Sequence, residues 1–288
     1  MPTSLAAYAA VAFTVLSWAS AFPMIRIALR ELAPIPLASA RFAIAAILVL
    51  AWLVWQRPPR PAASDAPRMF LCGLAGIALY NITLNTGQQT VAAGAASFIV
   101  NSAPILTALL ALVFLKERFT VWGWIGTVIS FGGIALIASG QPGGLTFGAG
   151  TTFVLGAAIC TATYFVLQKP LVAKYGAMPC AAYTMLIGAL LLSPWLPEAA
   201  MTLGSASATT IGAVFALAVF PAALGYPTWT YALGYFGAAR ASNFLYLIAP
   251  VATALAFLLT GEAPNAQTLV GGALSIAGVV IVNTRGRN

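Results

Sequence analysis

Charge is what this sequence has least of. Its 288 residues include 13 Lys or Arg and 5 Asp or Glu, 6% of the chain, and no histidine. A water-soluble domain carries about a quarter charged residues, because its surface must be hydrated. The scarcity excludes a soluble enzyme and a disordered chain, and 26 glycines are far too few for a collagen-like repeat. The lack of histidine removes the commonest metal ligand and the usual proton carrier at neutral pH. Three cysteines, Cys72, Cys160 and Cys180, form no Cys-x-x-Cys pair and lie in or beside apolar runs. They read as small buried thiols rather than a disulfide framework. No phosphate-binding Gly-Lys-Ser/Thr, no Ser/His/Asp set and no metal cluster occur, so no ATP, metal or other cofactor is expected.

What is there is apolar: 61% hydrophobic residues and a mean hydropathy of +0.96. Apolar runs fall near 5–29, 35–56, 69–90, 93–115, 120–140, 148–173, 178–197, 208–235, 238–260 and 266–284. A span of the hydrocarbon layer needs about 20 apolar residues. Ten spans use most of the chain and leave only short loops. The expected class is an all-α integral membrane protein with lipid as its main solvent. Ala19-Ser20-Ala21 could pass for a signal-peptidase site, but Met1 to Leu5 holds no Lys or Arg. The first run is therefore expected to remain as a span.

The basic residues lie between the runs, so the net charge of +8 is not a nucleic-acid footprint. With the N-terminus in the cytoplasm, that side receives ten of them: Arg57, Arg60, Arg68, Lys116, Arg118, Lys169, Lys174, Arg240, Arg285 and Arg287. The other side receives three, Arg26, Arg30 and Arg41. This asymmetry favours ten helices with both termini cytoplasmic.

The chain also repeats itself. Ala95-Ala96-Ser97-Phe98-Ile99-Val100-Asn101-Ser102-Ala103-Pro104 matches Ala241-Ser242-Asn243-Phe244-Leu245-Tyr246-Leu247-Ile248-Ala249-Pro250 at a shift of 146, which also places Tyr80 on Tyr226. A shift of 145 places Glu117 on Glu262, Gly126 on Gly271, Ser130 on Ser275 and Gly133 on Gly278. A shift of 143 places Arg26 on Lys169 and Pro36 on Pro179. The repeats are expected over 1–143 and 144–288, five helices each. Five is odd, so the second copy enters the membrane from the opposite side. Inverted repeats of this kind are a transporter signature.

On these residues the chain resembles the drug/metabolite transporter superfamily, specifically its EamA family. The resemblance is carried by Trp18-Ala19-Ser20-Ala21-Phe22, Arg41-Phe42, Ala103-Pro104-Ile105, Leu115-Lys116-Glu117-Arg118, Ala249-Pro250-Val251 and Gly261-Glu262-Ala263-Pro264. Overall likeness is greatest to YddG-type exporters. It implies an inner-membrane exporter of aromatic and other neutral amino acids. Other metabolites and cationic drugs such as quaternary ammonium compounds are the alternative substrates.

Polar groups in hydrocarbon normally face protein or a water-filled cavity. Those at mid-helix include Trp18, Tyr80, Asn81, Asn85, Asn101, Tyr164, Tyr226, Trp229 and Tyr246. They are the expected substrate-binding set. Amides donate and accept, so they suit either end of a zwitterion, and aromatic faces attract an ammonium. The same residues also serve as helix–helix glue or as interface belts. Pro104 and Pro250 match across the repeats and are expected hinges or static kinks. Gly126-x-x-x-Ser130 and Gly271-x-x-x-Ser275 allow close helix contact, within the chain or in a dimer. Glu117 and Glu262 read as cap or interface residues. No Asp, Glu, His, Lys or Arg lies at the centre of a span, which disfavours proton coupling and predicts an uncharged chamber. The expected partners are small-molecule substrate and membrane lipid, with the chain acting as a monomer or a dimer. A membrane enzyme lacks its acid–base groups here, and an inert scaffold would have a solid interior.

Overall fold

The computed structural model describes residues 4–91, 93–117, 120–139, 149–260 and 265–285. Among them no strand occurs, and nine helices are long and apolar enough to cross a membrane. In chain order these are α1 (Ser4–Ala28), α2 (Pro34–Gln56), α3 (Ala63–Gly87), α4 (Ala95–Phe114), α5 (Val121–Ser139), α6 (Ala149–Tyr175), α7 (Ala177–Ser205), α8 (Ala208–Phe236) and, last, α10 (Ala266–Thr284). Between the last two runs α9, made of Ala238–Asn243, a 3-10 stretch Phe244–Leu247 and Ile248–Thr260. Glu262 and the Pro142-Gly143-Gly144 turn lie outside the described residues.

Turn chemistry sets the ends. Gly176 (φ 84°) and Gly237 (φ 83°) make the one-residue turns after α6 and α8. That backbone conformation costs glycine least, because it has no Cβ. Arg57 closes α2 in the left-handed region, donating its amide to the Leu53 carbonyl ahead of Pro58 and Pro59. Proline cannot continue a helix without losing a donor.

The packing obeys lipid rules. Large apolar side chains face outward: Trp55 is 80% exposed, Leu190 71% and Phe114 70%. Inside, alanine, glycine, serine and threonine dominate the helix contacts. With no hydrophobic drive between helices in lipid, close approach of small residues supplies the contact energy. The tightest seam joins α5 to α10. A Cβ built on Gly126 would stand 2.6 Å from the Gly278 carbonyl oxygen, and one on Gly133 would stand 2.5 Å from that of Gly271. Ser130 donates to the Ser275 carbonyl at 3.0 Å across the same seam. The two small-residue motifs therefore meet each other inside one chain.

The remaining helices pair in a pattern that survives exchanging the first five for the last five. α1 packs on α8 and α3 on α6, while α2 packs on α7 and α4 on α9. Polar clasps tie the ends. The Glu31 carboxylate, in the α1–α2 turn, accepts from the Ser207 amide (2.8 Å), the Ser207 hydroxyl (2.5 Å) and the Thr210 hydroxyl (2.9 Å) at the start of α8. The Ser207 hydroxyl, then its amide, then Thr210 hold this carboxyl below the usual carboxylate range. At the opposite end Glu117 accepts from the amides of Ala238 and Ala239, both at 3.1 Å, and pairs with Lys169. The cap is placed across the fold: Glu117 follows α4 and closes the N-terminus of α9.

Candidate functional site

Two helices owe their shape at mid-depth to a change of hydrogen-bond register. α3 contains a π-helical stretch at Leu74–Leu79 and α8 one at Ala218–Leu224. The two stretches lie in corresponding helices, just before Tyr80 and Tyr226, which match across the repeats. π-turns shift the carbonyl ladder and concentrate at functional sites. In α8 the cause is legible: Pro221 has no N–H, so the Leu217 carbonyl four residues back has no helical donor from it. Arg41 Nε takes that carbonyl at 3.1 Å. The carbonyl of Pro221 itself accepts from Trp18 Nε1 at 3.1 Å. In α3 the Gly76 carbonyl accepts from the Tyr226 hydroxyl at 3.0 Å, and that of Ile77 from Asn81 Nδ2 at 2.8 Å. Carbonyls around the π-stretches thus fix the side chains that surround the centre of the bundle.

These side chains enclose a cavity with about 50 Å³ accessible to water centres. That is room for a few waters at about 10–15 Å³ each. Seven helices contribute: Trp18, Ala21, Phe22 and Ile25 from α1, Arg41 from α2, Gly76, Tyr80 and Leu84 from α3, Val100, Asn101 and Ala103 from α4, Thr161, Tyr164 and Phe165 from α6, Tyr226 from α8, Leu245 and Ile248 from α9. α5, α7 and α10 stand outside it.

Of the nine expected binding residues, Trp18, Tyr80, Asn101, Tyr164 and Tyr226 come together in the lining. Trp18 and Tyr226 meet edge to face at 5.7 Å, and Tyr164 lies 6.1 Å from Tyr226. Asn101 sits where α4 breaks between Ala93–Val100 and Ala103–Phe114. It donates to the Ser97 carbonyl at 2.7 Å, while its own carbonyl oxygen accepts no hydrogen bond among the described residues. The other four stand one layer back. Asn81 accepts from Arg41 Nη1 at 3.1 Å. Asn85 donates to the Pro34 carbonyl at 3.0 Å. Trp229 is buried against Phe165 and Trp18, with ring centroids 4.6 and 5.5 Å away. Tyr246 is fully buried near Phe131.

The expected hinges both fall where helices change character. Pro104 opens the second piece of α4, directly after the break at 101–102. Pro250 cannot donate to the Tyr246 carbonyl, which instead accepts from Ser275 at 2.8 Å. This bond ties the 3-10 stretch of α9 to α10.

Arg41 corrects the expectation of an uncharged chamber. The charge count placed it at the outer end of α2; the structure buries it at 4% exposure, about two turns inside that helix, on the cavity wall. The α2 run begins at Pro34, so the arginine falls within the span rather than before it. Its charge is supported by the Leu217 and Asn81 oxygens and by the Phe42 ring, 5.1 Å from Cζ. The signal available in the sequence was an arginine already inside an apolar run.

A lipid-facing helical bundle with a mid-depth cleft lined by aromatic and aliphatic side chains, one arginine and one amide has the architecture of a membrane carrier. The chain belongs to the EamA-like transporter family, whose model matches residues 5–139 and 148–284. It is a multi-pass membrane transporter. It is 37% identical to a protein of Streptantibioticus cattleyicolor described as a probable terminal-alkyne amino-acid exporter, over 96% of this chain and 93% of that one. The Bacillus subtilis transporter YdfC, of uncharacterised activity, is 35% identical over 91% of this chain and 86% of its own. The Escherichia coli inner membrane transporter YedA, also uncharacterised, is 27% identical over 85% of this chain and 80% of its own. A protein crystal structure shares the fold with a TM-score of 0.78, at 17% identity and 99% coverage of both chains.

Proposed function

We propose that this protein exports neutral α-amino acids, aromatic ones among them, across a bacterial-type inner membrane by alternating access. Ten spans form two inverted repeats, 1–143 and 144–288, with both termini in the cytoplasm. The solute occupies the central cavity, and helix groups rock about Pro104 and Pro250 to expose it to either face. Trp18, Tyr80, Asn101, Tyr164 and Tyr226 bind it directly, and Asn81, Asn85, Trp229 and Tyr246 hold those side chains in place. It acts as a carrier and performs no covalent chemistry on its solute.

The observation that carries this reading is the cavity itself, where rings and an amide with a free carbonyl oxygen converge from both halves of the chain. The exchange-symmetric helix pairing and the two separate family matches support the repeats. The relative described as an amino-acid exporter supports the solute class. The described cavity is smaller than the roughly 300 Å³ at which ligand sites begin, which fits a closed stage of the cycle. The test is flux in liposomes containing the purified protein, with labelled phenylalanine, tryptophan, threonine and a nucleotide sugar. Uptake of at least one amino acid above empty vesicles is expected, with none of the nucleotide sugar. Silence toward every amino acid would overturn the assignment.

A further inference from the structure

Among the described residues Arg41 is a buried cation with no anion beside it. Among the described residues the ion pairs are Glu117 with Lys169 and Asp65 with Lys174, and no carboxylate lies against Arg41. Of its five donors, Nε serves Leu217 and Nη1 serves Asn81, while Nη2 has no hydrogen-bond partner among the described residues. An uncompensated charge inside a membrane bundle is costly, and both supporting oxygens are neutral dipoles. A guanidinium held at two nitrogens and open at a third is pre-set for a planar anion, which it binds through parallel N–H···O bonds.

We propose that Arg41 is the carboxylate anchor of the transported solute. The inference rests on the amino-acid reading above and deepens it: the site selects solutes that carry a free carboxylate. The carboxylate meets Nη1 and Nη2 of Arg41. The ammonium end turns to the opposite part of the lining, where the Asn101 carbonyl oxygen and the Trp18, Tyr80 and Tyr226 rings offer electron density. Asn81 and Pro221 are positioning residues, because one holds Nη1 and the other withholds a helical N–H from the carbonyl that holds Nε. The same charge repels quaternary ammonium compounds, which removes the cationic-drug alternative. It also explains how a zwitterion enters a greasy bundle: the buried arginine, already desolvated, gains a counter-ion when the solute arrives.

The experiment uses the wild-type protein in liposomes, with whichever of phenylalanine, tryptophan or threonine it transports. Competition by that amino acid, its amide and its methyl ester is compared. Blocking the carboxylate should weaken competition about 30-fold or more, as expected when one partner of a buried charged pair is lost. Arg41→Gln should lose transport by a similar factor and no longer distinguish the acid from the amide, and Arg41→Lys should keep part of both. If Arg41→Gln does not fold, the analogue series in the wild type decides alone. Wild-type protein that transports the amino acid but accepts amide and ester equally well overturns the anchor and leaves the exporter standing. Wild-type protein that transports no amino acid overturns the exporter reading, and the anchor falls with it.

Discussion

Gly133→Leu will yield no folded monomer. The residue faces α10 at backbone distance: an added Cβ stands 2.5 Å from both the Gly271 carbonyl oxygen and the Ser275 amide nitrogen. Neither is the end of a flexible side chain, so only separation of α5 from α10 relieves the clash. That separation also breaks the Ser130 to Ser275 bond. It loosens the tie from Ser275 to the Tyr246 carbonyl, and through it α9. A single methyl at such a site costs about 1–3 kcal/mol, so Gly133→Ala should fold with a lowered melting temperature. Gly132 supplies the control, because it faces outward and a Cβ there meets nothing within 4 Å. Size-exclusion profiles and thermal melts in detergent check all three. A monodisperse Gly133→Leu protein melting with the wild type would contradict the seam.

Pro221→Ala should reduce transport about tenfold or more while leaving the melting temperature unchanged or raised. Pro221 offers the Leu217 carbonyl no N–H in ordinary helical register, and that carbonyl accepts from Arg41 Nε at 3.1 Å. Alanine restores the N–H, which competes for the same oxygen in ordinary helical register. The arginine then loses a hydrogen bond of the charged kind, worth about 1.5–3 kcal/mol. Trp18 is affected too, since its indole N–H ends on the Pro221 carbonyl. Helix α8 itself gains a backbone bond, so stability and transport move apart. Flux in liposomes and a melt of the same preparation read the two quantities. Flux equal to the wild type would show that the π-stretch does not position the site.

The span boundaries were legible because hydropathy and turn residues act locally. The expected 35–56 and 208–235 became Pro34–Gln56 and Ala208–Phe236. The meeting of the two small-residue motifs was one of two readings, because spacing shows that a helix face permits close contact without naming its partner. Arg41 was misplaced for a physical reason. A charge count assigns basic residues to loops, and it has no means to detect oxygens from α3 and α8 that make a buried site tolerable. The π-stretches left little trace, since register depends on which carbonyl an amide chooses and not on residue type. Pro221 lies within the apolar run 208–235, but its use by Arg41 needs the neighbour in α2. Trp229 shares a helix face with Tyr226, three residues away, yet Phe165 and Trp18 fill the space in front of it. Periodicity finds a face; the depth of the neighbouring side chains decides which residue on it reaches the lumen.

The central claim is a chamber between two halves that opens in turn to each side of the membrane. Ala103 lines it, is small, and is 1% exposed. Ala103→Cys, with Cys72, Cys160 and Cys180 replaced by alanine, is treated with a membrane-impermeant thiol reagent from either face of sealed vesicles. Labelling from both faces, with the ratio shifted by a transported amino acid, is the predicted result. A thiol that reacts from neither face, or from one face only with and without solute, would contradict alternating access.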